Sequence, residues 1–176
     1  TLLPEDLVAA AKNLGFTQLA LTDRDEIGGA VRFVKSCIQH EISPILGINA
    51  ALLPSGALVK NQTQLKPKTP IKGGLHRDLK HPRVLLLARG RYGWPALVKI
   101  ASRIGELKFA NANSAISLLD IATALRQAMP MGYTAANSPL VVLLTPESEF
   151  AAAVLGKRPD VALGIVKQWR EIVGVV

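Results

Sequence analysis

The run Asp23-Arg24-Asp25-Glu26 places three carboxylates around one guanidinium within four residues. Carboxylates at that density can hold one Mg²⁺ through their oxygens and through water, because a hard cation takes oxygen ligands. The same acids also suit an ordinary helix N-terminus, whose exposed N–H groups favour negative charge. Gly28 and Gly29 follow, but the segment lacks both the G-x-G-x-x-G spacing and a phosphate-loop lysine, so it is no nucleotide cradle. The histidines His40, His76 and His81 show no ligand spacing and read as surface side chains. No Ser-His-Asp set is visible, and Cys37 lies inside a helical stretch, so nucleophilic catalysis has no support.

A second constellation is basic. Nine of the 21 Lys and Arg residues lie between Lys60 and Arg91, opposed only by Asp78, and they account for the whole net charge of +8. A local basic tract can attract phosphate backbones by releasing their counterions, with Lys66, Lys68, Lys72 and Arg77 as the candidate contacts. Tyr92 and Trp94 follow the tract, and aromatic rings beside bases suit stacking on single strands. The opposing readings are a solvated loop for the charges and core packing for Trp94.

These side chains need a scaffold, and 176 residues with 49% hydrophobic content supply one domain with a real core. No apolar run reaches the roughly 18–20 residues that cross a bilayer, and no basic-then-apolar leader opens the chain, so no membrane partner is expected. One cysteine excludes an internal disulfide and a thiolate zinc cluster, which fits a reducing, cytoplasmic setting.

Periodicity supplies the elements. A helix is expected over Pro4–Gly15, opened by proline and acids and closed by glycine, then a short buried strand over Gln18–Thr22. A second helix from near Ile27 or Gly28, where Ile27, Val31, Val34 and Ile38 recur at helical spacing, leads to a strand over Ser43–Ile48. Between Pro54 and Pro82 the periodicity fails, and residues 54–82 read as a basic loop insertion, either functional or poorly ordered. Order resumes with the apolar strand Val84–Ala88 and helices over Trp94–Gly105 and Ser117–Met129. A strand over Leu140–Leu144 follows, then helices over Glu147–Leu155 and Asp160–Val173, the last capped by Asp160, and Val175-Val176 would open another strand. The alternation predicts an α/β fold with a largely parallel sheet, whose chemistry would sit in the loops Asp23–Gly29, Ile48–Ala51, Arg89–Gly93 and Thr145–Glu149.

At these positions the segments PEDLVAAAKNLGFTQLALTDRDEIGGAVRFVKSC, ISPILGINA and RVLLLARGRYGWPALVKIAS resemble the PHP (polymerase and histidinol phosphatase) domain of bacterial DNA polymerase III alpha-type subunits, most of all the error-prone branch. The resemblance covers nearly the whole chain apart from the basic insertion, and the ALTD turn with GGAVRF is its strongest part. It implies a distorted barrel of about seven β/α units, here incomplete, in which strand ends collect two or three metal ions that activate water against phosphate esters. It also implies Zn, Mn or Mg as the cofactor of an intact site, and DNA and the other polymerase domains as partners through the parent protein.

Carried over residue by residue, that site is damaged. Asp23 matches the aspartate of the family's Thr-Asp-His motif, but Arg24 stands at the histidine position, and a guanidinium has no lone pair for a metal. Asn49 stands where the family has a glutamate. The resemblance places a His-x-His before the first helix and an Asp-x-His after the last, and neither falls within residues 1–176, so the chain reads as a single domain truncated at both ends. The expectation is therefore a catalytically silent segment without a cofactor, with Arg24 filling the vacated cation position against Asp23. The alternatives are a working phosphoesterase using the acidic turn and a nucleic-acid-binding module using the basic loop. An incomplete barrel would leave an apolar sheet edge exposed, which predicts self-association.

Overall fold

The computed structural model describes residues 3–55, 81–110, 115–129, 132–174 and 176. Most of the expected basic insertion, including Lys66, Lys68, Lys72 and Arg77, lies outside the described residues, as does His76. Among the described residues, six α-helices and four β-strands position the rest. Helix α1 (Pro4–Asn13) leads to β1 (Gln18–Arg24), and α2 (Ala30–Gln39) leads to β2 (Ser43–Ala51). After the undescribed segment come β3 (Arg83–Ala88), α3 (Gly93–Phe109), α4 (Leu118–Ala128), β4 (Leu140–Leu143), α5 (Glu149–Leu155) and α6 (Pro159–Val173).

The four strands form an open sheet in the order β1-β2-β3-β4. The chain is α/β as expected, and the expectation of a largely parallel sheet is corrected at one strand, β3. Strands β1 and β2 pair in parallel and β4 runs in the same direction, while β3 is antiparallel to both of its neighbours. Uniformly apolar runs such as Val84–Ala88 report burial, not direction. Direction is set by the connections, and only the β1-α2-β2 unit is the compact crossover that parallel pairing requires.

Because side chains alternate along a strand, the register sorts the sheet into two faces. Leu21, Leu46, Ile48, Ala50, Val84, Leu86, Leu140 and Val142 share one face, and they belong to two clusters built with the helices. The larger cluster joins Ile48, Leu86 and Leu140 to Leu97 and Ile104 of α3, Ile121 and Leu125 of α4, and Ile165 and Trp169 of α6. The smaller joins Leu19 and Leu21 to Val8 and Ala11 of α1 and to Phe33 and Cys37 of α2. The opposite face carries Thr22, Arg24, Gly47, Asn49, Arg83, Leu85, Leu87 and Leu143, and Leu143 is 43% exposed.

Helix α2 turns a different side inward than its aliphatic residues suggest. Val31 and Ile38 are exposed, whereas Ala30, Phe33, Ser36 and Cys37 are buried. The large ring of Phe33 and the small Cys37 fit the gap against α1, and these two fix the helix rotation. Trp94, expected to anchor α3 in the core, keeps 36% of its surface exposed, and Ala96, Leu97 and Ile100 fill that place. Helix α6 begins at Pro159, with Arg158 rather than Asp160 as its N-cap. Asp160 sits in the first turn and accepts two hydrogen bonds from the Arg158 guanidinium, at 3.1 and 2.9 Å.

Candidate functional site

The reversal of β3 decides which loops meet. The C-terminal ends of β1, β2 and β4 gather at one end of the sheet together with the N-terminal end of β3. The loop Arg89–Gly93 follows the other end of β3, so the expectation that it joins the strand-end site is corrected. Arg83, at the first position of β3, takes its place beside Asn49 and the turn after β1.

Asp25 makes that turn in the left-handed region, with φ of 58°. Aspartate and asparagine enter this region more readily than most residues bearing a Cβ. Two bonds hold the turn against β2: the Asp25 N–H donates to the Asn49 backbone carbonyl at 3.0 Å, and the Ala51 N–H donates to the side-chain Oδ1 of Asp25 at 2.9 Å. The Arg83 guanidinium closes the cluster. Its Nη2 donates to Asp25 Oδ1 at 2.8 Å and to the Asn49 carbonyl, and its Nε donates to Asn49 Oδ1 at 2.8 Å. The backbone of Arg83 reaches the far side: its N–H donates to the Glu147 carbonyl at 3.0 Å, and its carbonyl accepts from Thr145 Oγ1 at 3.2 Å. One residue thus ties the ends of β1, β2 and β3 to the turn after β4.

The Arg83 side chain is 1% exposed and that of Asp25 15%. A charge at that depth is tolerated only when it is paired and its donors are used. Arg24 lies on the same sheet face but is more exposed, and its guanidinium reaches Glu147 Oε2 at 4.0 Å. The expected pairing of Arg24 with Asp23 is corrected, because the two side chains leave the strand on opposite faces. Asp23 stays on the helix-bearing face, where a Cβ on Gly29 would stand 3.0 Å from its Oδ2. Position 29 therefore has little room for a side chain. Glu26 is exposed, and Glu149 accepts from the Ser55 N–H at 2.8 Å.

The sequence residues Arg24 and Asn49 are thus brought together, Asp23 is turned away, and Asp25 and Arg83 form the centre. Sequence reasoning counted Arg83 with the basic tract. The available signal was a charge directly abutting a fully apolar strand, where a solvated arginine has no room. The other groups considered stay outside the cluster. His40 Nδ1 lies 2.9 Å from the Ser36 carbonyl of its own helix, and burial pushes the Cys37 thiol up, away from thiolate character.

These donors do not fit a metal cluster. Asn49 Oδ1 accepts from Arg83, Asp25 Oδ1 already has two donors, and two guanidiniums flank the position. Among the described residues, no group of three or more His, Cys, Asp or Glu side chains is placed to hold a metal ion.

The PHP domain description matches residues 1–175. The chain belongs to the PHP domain family. It is similar to the DNA polymerase III subunit alpha of Bacillus subtilis, 31% identical over 98 residues, which is 56% of this chain and 7% of that protein. It is likewise similar to the error-prone DNA polymerase of Mycobacterium tuberculosis, 34% identical over 94 residues, 53% of this chain and 7% of that protein. The matches therefore span only a small part of these curated relatives. A solved amidohydrolase from Chromobacterium violaceum aligns with 72% of this chain and 45% of its own, at 18% identity and a TM-score of 0.37. Among the described residues of this PHP domain, no helix is long and apolar enough to cross a membrane.

Proposed function

We propose that this PHP domain is a structural module of a bacterial DNA polymerase of the polymerase III alpha class, in the error-prone branch that copies damaged DNA in the cytoplasm, with no phosphoesterase chemistry of its own. The observation that carries this reading is the composition of the strand-end cluster: two guanidiniums, one amide, and two carboxylates, of which Asp25 is committed to Arg83 and the Ala51 N–H and Glu147 faces Arg24. Hydrolysis of phosphate esters in this fold needs cations held by free lone pairs. Permanently protonated side chains supply none and repel the ion. The module then serves by its surface, holding the other domains of the parent polymerase, whose nucleotidyl-transfer site lies outside this chain. Polymerase names among the relatives support the assignment to that class.

The test is metal analysis after incubation with Zn²⁺ or Mn²⁺ and dialysis, joined to hydrolysis of bis-p-nitrophenyl phosphate. The expected result is no stoichiometric ion and no turnover above buffer with metal alone. A bound ion with turnover would replace this reading by the metal-dependent phosphoesterase.

A second reading, contact with single-stranded DNA, is favoured by one feature of the described surface. Arg89, Arg91, Tyr92, Asn137 and Ser138 line a cleft of about 210 Å³ at the opposite end of β3, where the Arg91 guanidinium lies 4.5 Å from the centre of the Tyr92 ring. Cations beside an aromatic face suit a phosphate backbone with stacked bases. Lys66, Lys68, Lys72 and Arg77 of the basic tract are the further candidate contacts that the sequence offers for this reading. Binding that weakens steeply with salt and is lost on alanine substitution of Lys66, Lys68 and Lys72 supports this reading, and salt-insensitive binding removes it.

A further inference from the structure

We propose that the Arg83 guanidinium is a built-in organic cation doing the cross-linking work of an ion at these strand ends, with Asp25 as its counter-ion. The inference rests on the reading of a metal-free site and deepens it, since a site can lose its ions without gaining a replacement. Here the replacement is specific. A single planar group spans the carboxylate of the β1 turn, the side-chain amide of Asn49 and its backbone carbonyl. Arginine's fixed fork can satisfy such divergent acceptors at once, whereas a lysine ammonium is a point donor on a flexible stem. The Arg83 side chain is 1% exposed against 15% for Asp25, so the cation is part of the interior and not a surface residue resting on a cleft. Asn49 fits this arrangement better than a glutamate would: its neutral oxygen accepts from Nε without adding a second charge beside Asp25.

The same reasoning explains why Arg24 is not the occupant. It is more exposed, and its link to Glu147 at 4.0 Å crosses the rim of the cluster.

Chemical rescue tests the proposal on the whole chain. Arg83→Ala is expected to lower Tm by roughly 6–20 °C, because removing one partner leaves Asp25 and Asn49 without their donors. Millimolar methylguanidinium should raise the Tm of Arg83→Ala by several degrees and leave wild type and the Arg83→Ala, Asp25→Asn double variant unmoved. Should Arg83→Ala not fold, Arg83→Lys serves as the second variant: it keeps the charge but not the fork and should still lose stability. Rescue of Arg83→Ala by methylguanidinium, or a clear Tm loss in Arg83→Lys, supports the organic cross-link. An Arg83→Ala protein as stable as wild type, one that folds but is not rescued, or an Arg83→Lys protein at wild-type Tm overturns it. A wild-type protein that retains stoichiometric Zn²⁺ in the absence of any variant would instead bring down the underlying metal-free reading, so the two failures are distinguishable.

Discussion

At the scale of single residues, Asp25 does two jobs that can be separated. Its backbone is left-handed, and its carboxylate neutralises Arg83 while accepting from the Ala51 N–H. Asparagine keeps the left-handed preference and an acceptor oxygen but removes the charge. Asp25→Asn should therefore destabilise the fold by roughly 2–3 kcal/mol in urea unfolding, the range for a buried hydrogen bond to a charged group. Asp25→Ala should lose about 1 kcal/mol more, because an alanine resists positive φ. An Asp25→Asn protein within experimental error of wild type would mean that the ion pair contributes nothing.

The sequence made Asp25 visible as part of an acidic turn and assigned it to Mg²⁺ or to a helix dipole. It could not reveal the partner, since Arg83 lies 58 residues away. Arg24 was chemically equivalent and adjacent, and only strand alternation shows that it leaves the sheet away from Asp23. Arg24 and Asn49 were legible as poor metal ligands from their chemistry alone.

At the scale of elements, local signals were read most faithfully. The β1-α2-β2 unit and α4 rest on turn residues, caps and periodicity, which act within a few positions. Ser117 caps α4 in a reciprocal box: its Oγ accepts from the Asp120 N–H at 3.1 Å, and Asp120 Oδ2 accepts from the Ser117 N–H at 2.9 Å and from its hydroxyl at 2.7 Å. Arg103 of α3 adds a bond from Nε to Asp120 Oδ1 at 2.9 Å. Burial works against the Asp120 charge, but the bonds from Ser117 and Arg103 hold its carboxyl below the usual 3.8. A folded-state value below the unfolded one stabilises fully above the ordinary value, and that contribution is lost as pH falls through the depressed value. The stability gap between wild type and Asp120→Asn, followed by thermal unfolding, should accordingly be constant above about pH 5 and shrink through the acid range below 3.8. Ser117→Ala should cost about 1 kcal/mol at neutral pH. A gap that widens on acidification would contradict the assignment. Strand direction and the rotation of α2 were illegible for the opposite reason: both are decided by how distant elements pack, as Phe33 and Cys37 do against α1.

At the scale of the molecule, one sheet face carries the two helix-bound core clusters and the other carries the strand-end cluster. Family membership was legible in the sequence because it resides in turn and strand segments whose residue types and spacing are local. The role of the site was not, since the decisive residue enters on a reversed strand. The claim on which the account turns is that a side-chain cation, and not a metal, sits among Asp25, Asn49 and the β3 start. Anomalous diffraction from crystals of the wild-type chain soaked in Zn²⁺ measures this directly. The account predicts no anomalous peak within coordination distance, about 2.0–2.2 Å, of Asp25 or Asn49 oxygens, with the Arg83 guanidinium in their place. A peak there, with Arg83 swung aside, would contradict it.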